Sequence, residues 1–265
     1  MLNASIVLYK HSISDIRLLV KTLQNSGLVS EIFLIDNSPN ENKGFEELNV
    51  KYIFNNNNLG YGRAHNIALR KSIDTNIPYH LVVNPDISFE PEILKTIVTY
   101  MDNHQDVGHL MPKVFYPNGH LQYLCKLLPT PTDLIFRRFL PKNVREKRMR
   151  KFELRYSGYN RIMNVPYLSG CFMFLRTEAL KVTGIFDERF FMYPEDIDLT
   201  RRIHQHYKTI FFPEVSIIHH HAQSSYSSPK MLWIHILNMI RYFNKWGWIF
   251  DKERREVNKR ILKSL

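Results

Sequence analysis

Short apolar runs alternate with helical patterns through the first hundred residues. Ala4–Tyr9 is an apolar run ending at Lys10 and His11, and Ile13, Ile16, Leu19, Val20 and Leu23 then recur at helical spacing. Ser12 or Ser14 can cap that helix, and Gly27 can end it. Glu31–Ile35 is a second run, stopped by Asp36-Asn37-Ser38-Pro39. Lys51–Phe54 is a third, followed by four asparagines and Gly60. Tyr61–Ser72 reads as a helix, and His80–Val83 as a strand ending in Asn84-Pro85-Asp86. Pro91 precedes a helical pattern through Ile93, Leu94, Ile97, Val98 and Met101. This alternation predicts an α/β fold with a mostly parallel sheet and right-handed crossovers. Three strands end in groups that can bind: Lys10/His11, Asp36/Asn37 and Asn84/Asp86. In open α/β sheets ligands sit beyond the carboxyl ends of strands, so these ends should converge on one crevice.

The second half is less regular. Val114–Leu124 contains Tyr116-Pro117-Asn118-Gly119, a hairpin signal. Arg137–Lys151 carries eight basic residues and one acid, Glu146. Cys171–Leu175 reads as a strand, Thr177–Val182 as a helix stopped by Gly184, and Asp196–His206 as a charged helix after Pro194. Thr209–Phe212 and Val215–Ile218 read as two short strands. From Pro229 the pattern is helical and amphipathic, with three tryptophans and a basic tail.

Composition narrows the class. The chain has 265 residues, a net charge of +11 and 44% hydrophobic residues, which excludes a disordered polyampholyte and a collagen-like repeat. Two cysteines, Cys125 and Cys171, are not a disulfide scaffold, and no Cys/His spacing suggests structural zinc. The opening residues lack the basic leader and long apolar core of a signal peptide, and no window reaches about 20 apolar residues. The expectation is a cytoplasmic protein with reduced thiols, soluble or peripheral to a membrane. Its charge calls for an anionic partner: nucleotide, lipid phosphate or nucleic acid.

Several residues could carry chemistry, each beside a structural alternative. Asp86, after a buried strand, suits a divalent cation bridging two phosphates, or is a turn residue. Asp36 can accept from a base or ribose, or form an Asx-turn with Ser38. Arg63 stands in the first turn of a helix whose N-terminus suits an anion; the glycines around it match neither a dinucleotide fingerprint nor a P-loop. Glu195, Asp196 and Asp198 open a helix with Arg201 and Arg202 one turn on. They offset the helix dipole and form i,i+3 or i,i+4 pairs, and would need burial to act as bases. His219-His220-His221 follows an apolar strand, so His219 and His221 share a face and one imidazole could bind a metal. The aromatic and basic C-terminal helix fits either a core helix or an interfacial one on anionic lipid. The basic run at 137–151 is a solvated helix, a second lipid contact or a site for an acceptor's pyrophosphate.

In combination these segments resemble the inverting family 2 glycosyltransferases of the GT-A fold, in particular a bacterial rhamnosyltransferase-like subgroup. The resemblance rests on Ser5-Ile6-Val7-Leu8-Tyr9, Leu34-Ile35-Asp36-Asn37-Ser38, Asn58-Leu59-Gly60-Tyr61-Gly62 with Asn66, and Asn84-Pro85-Asp86. It continues through Leu168-Ser169-Gly170-Cys171-Phe172-Met173, Gly184–Phe191, Glu195-Asp196-Ile197-Asp198-Leu199, and Ile218-His219 with Ser224, covering about residues 4–228. It implies a catalytic domain over 1–228, with a nucleotide-binding half (1–112) and an acceptor-side half (113–228), and a C-terminal helical segment (229–265) that contacts a membrane.

The resemblance also implies roles. Tyr9, Asp36, Asn37, Asn58, Gly60, Arg63, Asn66 and Asn84 would line the nucleotide site, with Asp36 on a pyrimidine base and Arg63 near base or diphosphate. Asp86 would bind Mg²⁺ or Mn²⁺ as the last acid of a DxD motif whose first position here is Asn84, with His219 helping and His221 as fallback. Asp196 would be the general base, supported by Glu195, and Ser169-Gly170-Cys171 would lie near donor sugar and acceptor. The implied partners are a pyrimidine nucleoside diphosphate sugar, a saccharide acceptor on a lipid pyrophosphate, and an anionic membrane surface. The implied process is bacterial surface polysaccharide synthesis. Two other classes are weighed. A sugar nucleotidyltransferase needs a Gly- and Arg-rich phosphate loop, which Ser5–His11 lacks. A nucleic-acid module needs a helix-turn-helix, zinc-finger or RRM pattern, and none is visible, so nucleic acid is not an expected partner.

Overall fold

The computed structural model describes residues 1–220 and 229–265; His221 and Ser224 lie outside the described residues. In chain order the strands and helices are β1 (Leu2–Leu8), α1 (Ile13–Asn25), β2 (Val29–Asp36), β3 (Lys51–Phe54), α2 (Tyr61–Asp74), β4 (Tyr79–Val83), β5 (Ile87–Ser88), α3 (Ile93–Asn103) and β6 (Val107–Phe115). Then come β7 (Cys125–Lys126), α4 (Pro131–Leu134), α5 (Lys142–Phe152), β8 (Met163–Asn164), β9 (Tyr167–Leu168), β10 (Phe172–Arg176) and α6 (Thr177–Thr183). The chain finishes with α7 (Glu195–His204), β11 (Lys208–His219), α8 (Pro229–Trp246) and α9 (Lys252–Ser264).

The main sheet runs β3-β2-β1-β4-β10-β6-β11-β5, with β8 also on β11. β1, β2, β3 and β4 pair in parallel, as do β6 and β11, while β10 lies antiparallel between β4 and β6. Helices cover both faces, so β1 and β4 are buried nearly throughout, as the uninterrupted apolar runs require. α1 starts as predicted, on a capping box between Ser12 and Asp15, and buries Ile16, Leu19, Val20 and Leu23. The predicted hairpin turn forms, with the Gly119 N–H donating to the Tyr116 carbonyl at 2.9 Å.

One reading of the sequence is corrected. The two short strands expected at 209–212 and 215–218 are a single strand, β11. Pro213 interrupts the apolar run, and the register against β6 slips between Phe212 and Ser216 before pairing resumes. A residue without an N–H is accommodated by an irregularity of this kind.

Two buried polar assemblies tie the layers together. Between β1, β4 and α2 runs a chain of fully buried side chains: Asn3 donates to Ser72 (3.0 Å), Ser72 bonds His80 Nδ1 (2.7 Å), His80 Nε2 bonds Ser5 (2.8 Å), and Ser5 bonds His65 Nδ1 (2.7 Å). At the other end, Arg201 of α7 donates both terminal nitrogens to Asp251 at 2.8 Å, reaches Glu253, and stacks on Trp246 with its guanidinium 3.9 Å from the ring centroid. Asp198, also on α7 and fully buried, accepts from Trp246 Nε1 (2.8 Å), Lys245 (2.6 Å) and Arg202 (2.9 Å). The C-terminal helices are thereby bound to the helix that opens with Glu195 and Asp196. Met239, Tyr242 and Phe243 of α8 are buried in that packing, so the aromatic stripe of its C-terminal half is core.

Candidate active site

The carboxyl ends of β2 and β4 lie beside the opening turns of α2 and α7, and hydrogen bonds join all four. At the end of β2, Asp36 is buried. It accepts from the Ser38 N–H at 2.9 Å, the predicted Asx-turn, and from the Tyr52 hydroxyl at 2.8 Å. Asn37 donates to the Gly60 carbonyl (3.2 Å) and accepts from Asn55 (2.9 Å), while Asn58 accepts from the Gly60 N–H (3.0 Å). Gly60 has φ +85°, and a Cβ there would run into the Phe191 carbonyl, so the approach of this loop to 191 requires glycine.

The Asn84-Pro85-Asp86 turn follows β4. Its Asn84 accepts from the Tyr61 hydroxyl at 2.9 Å, and the same hydroxyl lies 2.7 Å from the Gly170 carbonyl. The Gly170 N–H donates to Asp196 Oδ2 at 2.8 Å. Tyr61 thus links the turn that presents Asp86 to the strand end that holds Asp196. It is a site residue that the sequence reading quoted in a motif without giving it a role; a phenol at the first helical position after a glycine was the available signal. On the other side of the turn, Asp86 Oδ1 is 3.4 Å from His219 Nε2, and the Asp86 carbonyl accepts from the His220 N–H. His219 is buried, its Nδ1 3.0 Å from the Gln122 amide oxygen, whereas His220 is exposed and bonds Ser88. Of these two histidines, His219 is the one that faces the turn.

Glu195 and Asp196 are 4% and 9% exposed, so the opening of α7 is not a solvated helix end. Burial raises Asp196 to about 6, against the opposing pull of the Gly170 and Ile197 N–H groups that donate to its two oxygens. Burial and the neighbouring Asp196 charge push Glu195 well above the usual carboxylate range. Glu195 Oε2 has no hydrogen-bond partner among the described residues. The two neighbouring carboxyls are thus both shifted upward, Asp196 ionising above about 6 while burial and the Asp196 charge favour the protonated form of Glu195. Lys126 of β7, stacked over Tyr167 at 5.0 Å, contributes a positive charge that favours the ionised form of Asp196. A lone lysine in a two-residue strand gave no sequence signal. Cys171, also at the site, is buried with its thiol pushed up to about 12.

Of the remaining residues expected near a nucleotide, Asn66 is turned inward and Arg63 and Tyr9 are exposed. Asn66 is fully buried and its amide bonds the Phe186 backbone at both ends (2.9 and 3.0 Å), so it fastens α2 to the 186 loop and does not line the crevice. The helical pattern could not distinguish an inward-facing anchor from a wall residue. Arg63 is exposed and lies 3.5 Å from Glu188, which also pairs with Arg70. Tyr9 is half exposed at the end of β1, beside Lys10 at φ 60°.

A divalent cation fits the donor set at Asp86. One carboxylate and one imidazole lie within 3.4 Å of each other, and among the described residues no group of three or more His, Cys, Asp or Glu forms a closed cage. That is the ligand economy of Mg²⁺ or Mn²⁺ held by one or two side chains and completed by phosphates and water.

Residues 6–184 match the family model described as glycosyl transferase family 2. The chain is 27% identical over 194 residues to N-acetylglucosaminyl-diphospho-decaprenol L-rhamnosyltransferase of Mycobacterium tuberculosis, a match covering 68% of this chain and 62% of that protein. It is 28% identical over 192 residues to rhamnosyltransferase WbbL of Escherichia coli, covering 69% of each. The chain therefore spans a little under two thirds of the mycobacterial relative. Among solved structures, GalNAc-T7 with UDP, GalNAc and Mn²⁺ superimposes with a TM-score of 0.66 at 16% identity, over 96% of this chain and 49% of that one. TarS of S. aureus gives 0.57 at 18% identity, over 99% and 42%. At these identities the structural likeness speaks for the GT-A fold.

Proposed function

The chain belongs to glycosyl transferase family 2, and from that premise we propose that it transfers a sugar from a pyrimidine nucleoside diphosphate sugar, dTDP-rhamnose or a UDP-hexose, to a saccharide acceptor carried on a lipid pyrophosphate. The rhamnosyltransferase relatives support the sugar class, and the +11 charge supports anionic substrates. The reaction belongs to bacterial surface polysaccharide synthesis, at the inner face of the cytoplasmic membrane. No helix among the described residues is long and apolar enough to cross a membrane.

The observation that carries the reading is the coupled arrangement of Asp196, Gly170, Tyr61 and the Asn84–Asp86 turn. Asp196, ionised above about pH 6, takes the proton from the acceptor hydroxyl as that oxygen attacks the anomeric carbon. The nucleoside diphosphate departs from the opposite face, so one displacement inverts the configuration. The transition state has oxocarbenium character. Cys171, held as a thiol, is not a nucleophile at this site. Burial and the Asp196 charge favour the protonated form of Glu195, which can donate to the acceptor. Asp86 and His219 would hold the divalent cation, which supplies Lewis-acid stabilisation of charge on the diphosphate when bound. Asp36 and Asn37, already fixed by internal hydrogen bonds, form the floor for the base.

The test is thermal stabilisation by UDP and dTDP with and without Mn²⁺. We expect one of them to raise the melting temperature, Mn²⁺ to enlarge the effect, and Asp86→Ala to remove the metal-dependent part. An absence of response to every pyrimidine diphosphate in Mn²⁺ would overturn the reading.

A further inference from the structure

The surface formed by α4, α5 and the α8–α9 turn is charged and apolar in a way that the transfer reaction does not use. Five basic residues of α5 are exposed: Lys142, Arg145, Lys147, Arg150 and Lys151. An open groove of about 700 Å³ runs between this helix and the end of α9, with Lys147, Arg150 and Lys151 against one acid, Glu146, among its lining residues. Beside the cations stand large apolar side chains in water: Phe250 is 86% exposed, Phe139 76% and Ile249 74%.

Hydrogen bonds hold the elements that carry these side chains together. The buried Arg254 guanidinium donates to the carbonyls of Gly247, Trp248 and Ile249 and to that of Pro129, so the α8–α9 turn is fastened to the start of α4. Arg148 of α5 donates to Asp133 (2.6 Å) and Thr130 (2.8 Å), fastening α5 to the same place. Asn258 of α9 holds the Leu128 backbone through both ends of its amide at 2.9 Å. Phe139 lies on the short connection between α4 and α5. The exposed apolar tips are therefore mounted on a cross-braced frame, next to a helix whose charge is nearly all of one sign.

We propose that this surface docks the protein on an anionic lipid bilayer, with Phe139, Ile249 and Phe250 entering the interface and the α5 cations lying over the headgroups. Charge complementarity selects this occupant. A hydrophobic protein partner would not call for five exposed cations beside the apolar tips, whereas a bilayer interface takes both together. Met239, Tyr242 and Phe243 in the C-terminal half of α8 are used up in packing, whereas Trp233 and Leu237 in its N-terminal half stay exposed. The assignment rests on surface chemistry and does not depend on the sugar or nucleotide assigned above.

The experiment is co-sedimentation of the full chain with phosphatidylcholine vesicles, with and without phosphatidylglycerol. Nucleotide-dependent thermal stabilisation is measured in parallel on every variant. We expect partition only with phosphatidylglycerol, weakened by salt. It should fall more than about tenfold both in Lys147→Glu/Arg150→Glu/Lys151→Glu and in Ile249→Ser/Phe250→Ser, with the nucleotide response unchanged. All these side chains are exposed, so the variants should fold, and retained nucleotide stabilisation verifies it. No partition onto phosphatidylglycerol vesicles, or equal partition by either variant, would overturn the proposal. So would a change in solution mass of the Ile249→Ser/Phe250→Ser chain without loss of lipid binding, which would give the surface to a second copy. A nucleotide response without lipid binding would overturn this inference and leave the transferase reading standing; the reverse result would do the opposite.

Discussion

Asp196→Asn should abolish transfer and, at neutral pH, relieve the fold of a cost. A carboxyl raised from 3.8 to about 6 binds its proton more tightly in the folded chain than in the unfolded one. Its contribution to stability is complete below pH 3.8 and is lost as pH rises through about 6. The whole difference amounts to about 3 kcal/mol, of which roughly half falls between pH 5 and pH 8. The asparagine lacks this titration. It suffers instead a pH-independent penalty, because its NH₂ must face either the Gly170 or the Ile197 N–H, each now donating to a carboxylate oxygen. Subtracting wild-type from variant unfolding free energies at each pH leaves that penalty as a constant offset and exposes the titration as a slope. Removing the Asp196 charge also relaxes Glu195, which pushes the slope in the same direction. The assay is urea unfolding in EDTA at half-unit steps from pH 5 to 8. Lower pH is avoided because burial holds His80 and His109 down to about 3 and His204 to about 4. These rings are neutral in the fold, and stability is lost as pH falls below their ordinary 6.5, equally in both proteins. A variant advantage that grows steadily from pH 5 to 8, by on the order of 1 kcal/mol, is the expected result. A flat difference, or one that shrinks as pH rises, would refute the view that Asp196 is a carboxylate held ionised against burial.

Two further outcomes test the frame around that residue. Tyr61→Phe removes the hydroxyl between Asn84 and Gly170; turnover should fall about tenfold or more while the nucleotide Kd stays within about twofold, and an unchanged kcat would show that the link has no part in positioning. Arg201→Ala strands Asp251, 5% exposed, without its bidentate partner and should cost about 3–5 kcal/mol in urea unfolding; a loss below about 1 kcal/mol would mean that Arg254, 3.8 Å from Asp251, and water compensate.

The alternation of apolar runs and helical patterns was enough to place β1 to β4 with α1 and α2, because parallel strands buried on both faces leave uninterrupted apolar segments. The polar residues at the ends of β2 and β4, Asp36, Asn37 and Asn84, meet the start of α2 through Asn37–Gly60 and Tyr61–Asn84. Patterns resolve less where one residue serves two contexts. Asn66 sits in the quoted motif, yet its amide is used to clamp Phe186. The burial that turns Glu195 and Asp196 from helix-dipole partners into a perturbed pair comes from packing by segments far away in sequence. The same is true of α8: its aromatic spacing suited a core or an interface equally. Asp198 and Arg201, whose charges need Lys245, Asp251 and Trp246 beside them, draw the C-terminal half of α8 into the core, while Trp233 and Leu237 in its first half stay exposed. Lys126 was invisible because nothing local marks a lysine as facing a carboxylate on another element.

The chain of side chains from Asn3 to His65 has a consequence of its own. Each imidazole uses a ring nitrogen toward Ser5, whose single hydroxyl proton can go to only one of them. Donation toward His65 obliges His80 to carry its proton on Nε2; donation toward His80 obliges it to carry it on Nδ1, with Ser72 then turning its hydroxyl to the Ala68 carbonyl, 3.2 Å away. The two rings are correlated tautomers, and the row has a sense of direction that reverses only as a whole. Its far end, His65, packs edge-on against the Tyr61 ring at 4.5 Å, immediately below the phenol that joins Asn84 to Gly170. A nitrogen-15 spectrum of either histidine therefore reports the state of the other.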